Sequence, residues 1–84
     1  MPFEEFGGRQ IRVKLFDDVT SGEFVVEFVD PAISASDSVV AVFNVDPGWS
    51  GARISISPKV KDVSAEFLLW ALEAARRIME GSAE

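Results

Sequence analysis

Residues 63–80, VSAEFLLWALEAARRIME, read as one amphipathic helix, and the chain before them reads as the sheet that this helix covers. Neither Gly nor Pro interrupts the stretch, and the strong helix formers Ala, Leu, Glu and Arg dominate it. Asp62 or Ser64 can accept hydrogen bonds from the N–H groups of the first turn, and Gly81 marks the end. The pattern predicts a helix over residues 62–80.

At about 100° per residue, this helix divides into an apolar arc and a charged arc. The apolar arc contains Val63, Phe67, Leu68, Ala71, Leu72, Ala74, Ala75, Ile78 and Met79. Leu69 lies among the charged residues, and Trp70 lies at the boundary between the arcs. Leu69 is therefore either an ordinary exposed leucine or a contact for another chain. Trp70 either folds over the edge of the sheet or takes part in that contact.

Segments before the helix alternate between apolar and polar residues, as half-buried strands do. They cover residues 9–16, 23–29, 38–45 and 52–57, and turns rich in Gly, Pro and Asp separate them. Short loops favour pairing between sequential strands. We predict an α+β fold, a two-layer β4α domain spanning residues 1–84. It has a lead-in (1–8), a four-stranded antiparallel meander (9–58) and a C-terminal helix (62–80) on one face.

The alternation also predicts which side chains of each strand face the helix. Of the two alternating sets of residues in the third predicted strand, the more apolar set is expected to face the helix. It consists of Val39, Ala41, Phe43 and Val45. We therefore expect Phe24 and Phe43 on the same face, in the core. The same phase places Val25 opposite Val42 on the outer face, where they are exposed to solvent or covered by the lead-in or by another subunit.

The fourth predicted strand forms an edge of this sheet with little protection against pairing. Its residues 52–57 carry one charged side chain, Arg53. The preceding turn carries Trp49, which either folds back over the core or is displayed for binding, since turn tips often bind partners. The partner-binding candidates are Trp49, Arg53, Leu69, Trp70, Val25 and Val42.

Composition argues against most catalytic chemistry. The chain has no His, Cys or Tyr, which removes the commonest general base, the usual nucleophile pairs and thiolate metal sites. Asp17 and Asp18 are adjacent carboxylates, but acids in turns usually support the turn. No phosphate-binding or calcium-binding motif is present. We expect no enzyme activity, no cofactor and no metal.

Charge and hydropathy limit the cellular compartment and the kind of binding partner that can be expected. The net charge of −6 disfavours nucleic acid and anionic membranes and favours a basic protein, or the chain itself, as partner. No signal peptide or membrane span is apparent, and the absence of Cys indicates the cytoplasm.

Two functions remain open at this point. The first is a non-catalytic acidic protein-binding module, such as a small inhibitor, immunity or accessory protein. The second is a structural subunit of a homo-oligomer or of a phage or cellular assembly. The turn Trp49-Ser50-Gly51, followed by a strand and a helix with Phe67, Trp70 and Ala74, loosely resembles small bacterial immunity proteins. This resemblance covers less than half of the chain and assigns no family.

Overall fold

A computed structural model describes residues 3–34, 37–46 and 48–81. These residues form the strands β1 (Phe3–Phe6), β2 (Arg9–Asp18), β3 (Glu23–Val29), β4 (Val40–Asn44) and β5 (Arg53–Ile56), and the helix α1 (Ala65–Gly81). The strands form an antiparallel meander in the order β1-β2-β3-β4-β5. The predicted α+β meander with a C-terminal helix is confirmed. The described residues form five strands, however, and not the predicted four.

The additional strand comes from the predicted lead-in, of which residues 1 and 2 lie outside the described residues. Phe6 pairs with Arg9, so Gly7 and Gly8 form a two-residue connection between β1 and β2. Their φ angles are 59° and 77°. Positive φ at both residues is typical of the type I′ hairpin turn, which matches the twist of paired strands. The Gly-Gly pair is therefore a hairpin turn, and β2 lies inside the sheet.

The helix covers one face of the sheet, here called the helix face; the other is the outer face. The buried side chains of the helix face are Ile11, Val13, Val26, Phe28, Val40 and Val42. They pack against the buried residues of α1, which are Phe67, Ala71, Ala74, Ala75 and Met79. The predicted apolar arc of the helix is therefore the arc that faces the sheet.

The predicted phase of the third strand is wrong. Val25 pairs with Phe43, and Phe24 pairs with Asn44. Directly paired residues share a face, and successive residues alternate between faces. Phe43 therefore lies on the outer face, opposite in direction to Phe24, and Val42 lies on the helix face.

A bend at Val39 accounts for the change of phase. The Val39 N–H donates to the Phe28 carbonyl at 2.8 Å, while the Val39 carbonyl accepts from the Ser57 N–H at 3.0 Å. A regular strand residue directs both groups to the same neighbour. The irregularity lets the consecutive residues Val39 and Val40 both be buried.

The N-terminus of α1 begins at Ala65, after a capping residue. The Ser64 Oγ accepts from the Phe67 N–H at 3.0 Å, which satisfies one N–H group of the first turn. Of the two predicted caps, Asp62 and Ser64, the structure uses Ser64.

Two contacts orient α1 across the sheet. The Trp70 ring lies 5.3 Å from that of Phe6, measured between centroids, and the Arg77 Nη2 lies 3.5 Å from the Glu4 Oε1. One flank of the helix therefore faces β1. Leu68 and Leu72 lie on the opposite flank, toward β5, because they are separated from Trp70 by about half a turn.

Candidate functional site

The edge strand β5 is the least covered element of the sheet. All of its residues, Arg53–Ile56, are exposed. Ile54 and Ile56 are directly paired with Val42 and Val40, which places them on the helix face. They nevertheless remain 43% and 40% exposed, so α1 leaves both side chains partly uncovered.

The backbone hydrogen-bonding groups of the two isoleucines of β5 also face the open edge of the sheet. Ser57 donates its N–H to the Val39 carbonyl of the neighbouring chain segment. In an antiparallel ladder, residues that bond the neighbour alternate with residues that face away from it. Arg53 and Ser55 therefore bond β4, while the N–H and C=O groups of Ile54 and Ile56 point to the open edge.

The turn before β5 is held by a buried amide. The Asn44 Nδ2 donates to the carbonyls of Gly48 and Ser50, both at 3.0 Å. Trp49 is partly buried and packs against the core. Trp49 thus folds back over the end of the core, as one of its two predicted alternatives stated, and its packing fixes the start of β5.

The segment after β5 is anchored as well. The Val60 N–H donates to the Ser57 carbonyl at 3.1 Å, and Val60 and Val63 pack against the core. Packed residues therefore flank β5 at both ends. The strand is a fixed edge that presents two apolar side chains and two outward backbone units.

Local charge at this edge differs from that of the whole chain. Residues 52–61 contain three cations (Arg53, Lys59 and Lys61) and no acid, whereas the chain has a net charge of −6. The Arg53 guanidinium lies 5.3 Å from the centroid of the Phe43 ring on the outer face. The Lys59 Nζ lies 3.3 Å from the Asp37 Oδ2.

The structure separates the predicted partner-binding residues. Arg53 lies on β5 and Trp49 in the turn before it, but Trp70 packs against Phe6, Phe28 and Phe67 on the opposite flank of the helix. Leu69 is 60% exposed on the arc that faces away from the sheet. These residues therefore do not form one continuous surface.

Val25 and Val42 are separated as well. Val25 lies on the outer face and is buried between Phe16 and Phe43, its direct neighbours in the ladder. Val42 lies on the helix face and is 0% exposed. The expectation that they pair on the outer face is therefore wrong, and Val42 belongs to the core because of the bend at Val39.

A half-buried ion pair joins Arg9 at the start of β2 to the buried Asp30 after β3. Arg9 donates to both carboxylate oxygens of Asp30, from Nε at 3.1 Å and from Nη2 at 2.6 Å, and the Ala32 N–H donates to Asp30 at 2.9 Å. Burial by itself raises the pKa of the Asp30 carboxyl, but these hydrogen bonds and the charge of Arg9 hold its pKa below the ordinary value. The pair closes the turn after β3, so its role is structural.

The sequence contained signals for this ion pair that our sequence interpretation missed. Arg9 has the same strand parity as Ile11 and Val13, which predicts a side chain on the helix face. Asp30 directly follows an apolar strand. Because buried charges are normally paired, the charged side chains of Arg9 and Asp30 each require an opposite charge near by.

A cavity of about 230 Å³ lies at the turn end of the sheet, and its lining includes Asp17, Asp46, Phe24, Val45 and Met79. The neighbouring Asp18 accepts from the Thr20 N–H at 2.9 Å and so supports the β2–β3 turn. Within the described ranges, no three His, Cys, Asp or Glu side chains are grouped so that they could hold a metal ion.

We therefore predict that thermal melting curves recorded with and without a chelator will coincide. The core consists of packed apolar side chains, and the donor residues needed for a structural metal site, His and Cys, are absent from the sequence. A melting temperature that falls strongly with EDTA would contradict this prediction.

Among the residues that the structure describes, no helix combines the length and the apolar character needed to cross a bilayer. No family model, no curated protein and no solved structure matches the chain.

Proposed function

We propose that this protein is a non-catalytic protein-binding module that takes an extended segment of its partner as an additional strand beside β5. The observation that carries the proposal is the edge itself, where the backbone groups of Ile54 and Ile56 point outward and their side chains stay exposed. A strand that adds to such an edge gains main-chain hydrogen bonds and places alternate side chains on the isoleucines.

The exposed arrangement of β5 supports this use over a purely structural one. Sheet proteins commonly protect their edges with charged residues, proline or a covering helix. β1 carries Glu4 and Glu5, whereas β5 has Arg53 as its charged residue. A second support is rigidity, because a strand fixed at both ends loses little conformational entropy when a partner binds.

Charge defines the partner further. The net charge of −6 attracts basic proteins to the molecule over long range, but it does not decide which strand pairs with the edge, because residues 52–61 carry three cations and no acid. The segment that receives the strand carries cations, so the added strand itself should be neutral or acidic at the positions beside Arg53 and Lys59. The absence of Cys supports a cytoplasmic setting for this binding.

Ile54→Pro tests the proposal by affinity capture from a lysate of the source organism. Proline is tolerated at an edge where the N–H faces solvent, so the variant should fold while losing an outward donor and an apolar contact. We expect the wild type to capture a specific protein. Ile54→Pro should bind that protein at least about tenfold more weakly, which corresponds to a loss of about 1.4 kcal/mol of binding free energy.

Leu69→Asp is the control at a different surface, because Leu69 is also apolar and exposed (60%, against 43% for Ile54) but lies on the helix arc facing away from the sheet. We expect Leu69→Asp to keep both the fold and the captured protein. Loss of capture with Leu69→Asp, together with retention by Ile54→Pro, would move the contact to the helix and contradict the proposal.

A further inference from the structure

The sequence of the β5 edge is symmetric about its centre. Ile54-Ser55-Ile56 reads the same in both directions, and Ser57 follows as the counterpart of Arg53. A two-fold interface requires the same surface on both partners to be complementary to itself. An antiparallel pair of such strands, centred on Ser55, places each isoleucine opposite an isoleucine and each Ser55 opposite its copy.

We infer that the strand added to β5 is the β5 of a second copy of this chain, with the two-fold axis at Ser55. This inference rests on the proposed use of the edge and names its partner. In this register Ile54 of one copy and Ile56 of the other form hydrogen-bonded pairs on both sides of the axis. All of the outward N–H and C=O groups of both residues are then used.

The neighbouring registers are worse for reasons found in the chain itself. A two-fold axis at Ile56 places Ile54 opposite Pro58, which has no N–H to donate. An axis at Ile54 places Ile56 opposite Ala52, whose N–H already donates to the Trp49 carbonyl at 3.0 Å. The axis at Ser55 is therefore the register in which the edge saturates its own hydrogen bonds.

Packing and charge agree with the same register. The two-fold axis is perpendicular to the sheet, so both helices lie on the same face of the joined sheet. Ile54 and Ile56 of both copies then lie between the two helices, beside the flanks that carry Leu68 and Leu72. Arg53 lies opposite Ser57 of the other copy, and the two Arg53 residues are about 13 Å apart along the strands, beyond the screening length of about 8 Å at physiological salt.

Cysteine cross-linking tests this geometry cleanly, because the sequence contains no Cys. In the proposed register Ser55 and its copy form a pair without mutual backbone hydrogen bonds, whose Cα atoms lie about 4.5 Å apart, within disulfide range. We expect Ser55→Cys to form a disulfide dimer under mild oxidation. Arg53→Cys on the same strand and face is the matched control, because its copies are too far apart.

The expected result is cross-linking of Ser55→Cys at least about tenfold faster than that of Arg53→Cys, since pairing raises the effective thiol concentration. A mixture of Arg53→Cys with Ser57→Cys should cross-link faster than either alone, because these residues face each other across the axis. If Ser55→Cys fails to fold, the mixture of Arg53→Cys and Ser57→Cys tests the same register. Ile54→Pro added to Ser55→Cys should abolish the difference.

Light scattering of the wild type over a range of concentrations should show a monomer–dimer equilibrium. Raised salt should strengthen the dimer, because it screens the repulsion between two copies of charge −6. Equal cross-linking rates for Ser55→Cys and Arg53→Cys, with no gain in the mixture, would overturn the inference. Loss of capture by Ile54→Pro would in that case still support the proposed function with a different partner.

Discussion

Phe28→Ala is expected to lower the free energy of unfolding by about 3–5 kcal/mol, as truncation of a buried aromatic side chain does. Phe28 is 0% exposed on the helix face, and its ring lies 5.7 Å from that of Trp70, measured between centroids. Domains have a total stability of about 5–15 kcal/mol, so the variant should be close to unfolding. Denaturant titration monitored by circular dichroism measures the change.

Phe43→Ala is the matched comparison for Phe28→Ala, since the chemical change is identical and the face of the sheet is opposite. Phe43 is half-buried on the outer face, where its main partners are Val25 and the Arg53 guanidinium. We expect this variant to lose about 1–2 kcal/mol, from partial apolar burial and the cation–π contact. Equal losses for the two variants would mean that the bend at Val39 is misplaced and that Phe43 lies in the core.

Asp30→Ala is expected to lower the free energy of unfolding by about 3 kcal/mol at neutral pH, because hydrogen bonds to charged groups contribute about 1.5–3 kcal/mol. The substitution removes the acceptor of both Arg9 bonds and of the Ala32 N–H. The Arg9 side chain is 37% exposed and regains water, which keeps the loss near this value. Urea titrations of wild type and variant at pH 7 measure it.

The stability difference between wild type and Asp30→Ala should depend on pH in a defined direction. The pKa of Asp30 is lowered in the folded state, so its contribution is fully present above the ordinary Asp pKa of about 3.9. The contribution is lost as the pH falls through the lowered folded-state pKa. The two proteins should therefore converge in strong acid.

Asp37→Ala provides the comparison for this titration. Asp37 pairs with Lys59 on the surface, where the two side chains are largely exposed, and such pairs contribute little. Its removal should change stability slightly at every pH. A gap between wild type and Asp30→Ala that stays constant down to pH 2.5 would contradict the assignment of a charged, hydrogen-bonded Asp30.

The sequence by itself determined the order of β2 to β5 and α1, the class of fold and the helix arc that faces the sheet. These features depend on local periodicity and on turn residues. The residues of α1 repeat at helical spacing, and Ser64 accepts a bond from a neighbour three residues away. The Gly7-Gly8 hairpin follows the same kind of local rule, since Gly-Gly between two strands favours a type I′ turn, but our sequence interpretation assigned residues 1–8 to a lead-in.

Tertiary structure decided the phase of β4. Residues 39–43 are apolar in both alternating sets, and the polar Asn44 falls in one of them, so the local pattern favoured the other set, with Phe43 inward. The bend at Val39 reversed it, because Val39 bonds β3 with its N–H and Ser57 with its carbonyl. Asn44 then lies at the inner position, where its amide holds the turn before β5. The two bonds of Val39 join it to segments distant in sequence, so periodicity along one strand could not specify the phase.

The candidate site divides in the same way. The sequence identified β5 as a weakly protected edge from its composition, since charge and proline content are local properties. Which of its residues point outward depends on the pairing with β4. How far α1 covers them depends on packing between segments distant in sequence: α1 approaches β4 most closely, yet Ile54 and Ile56 on the next strand remain exposed.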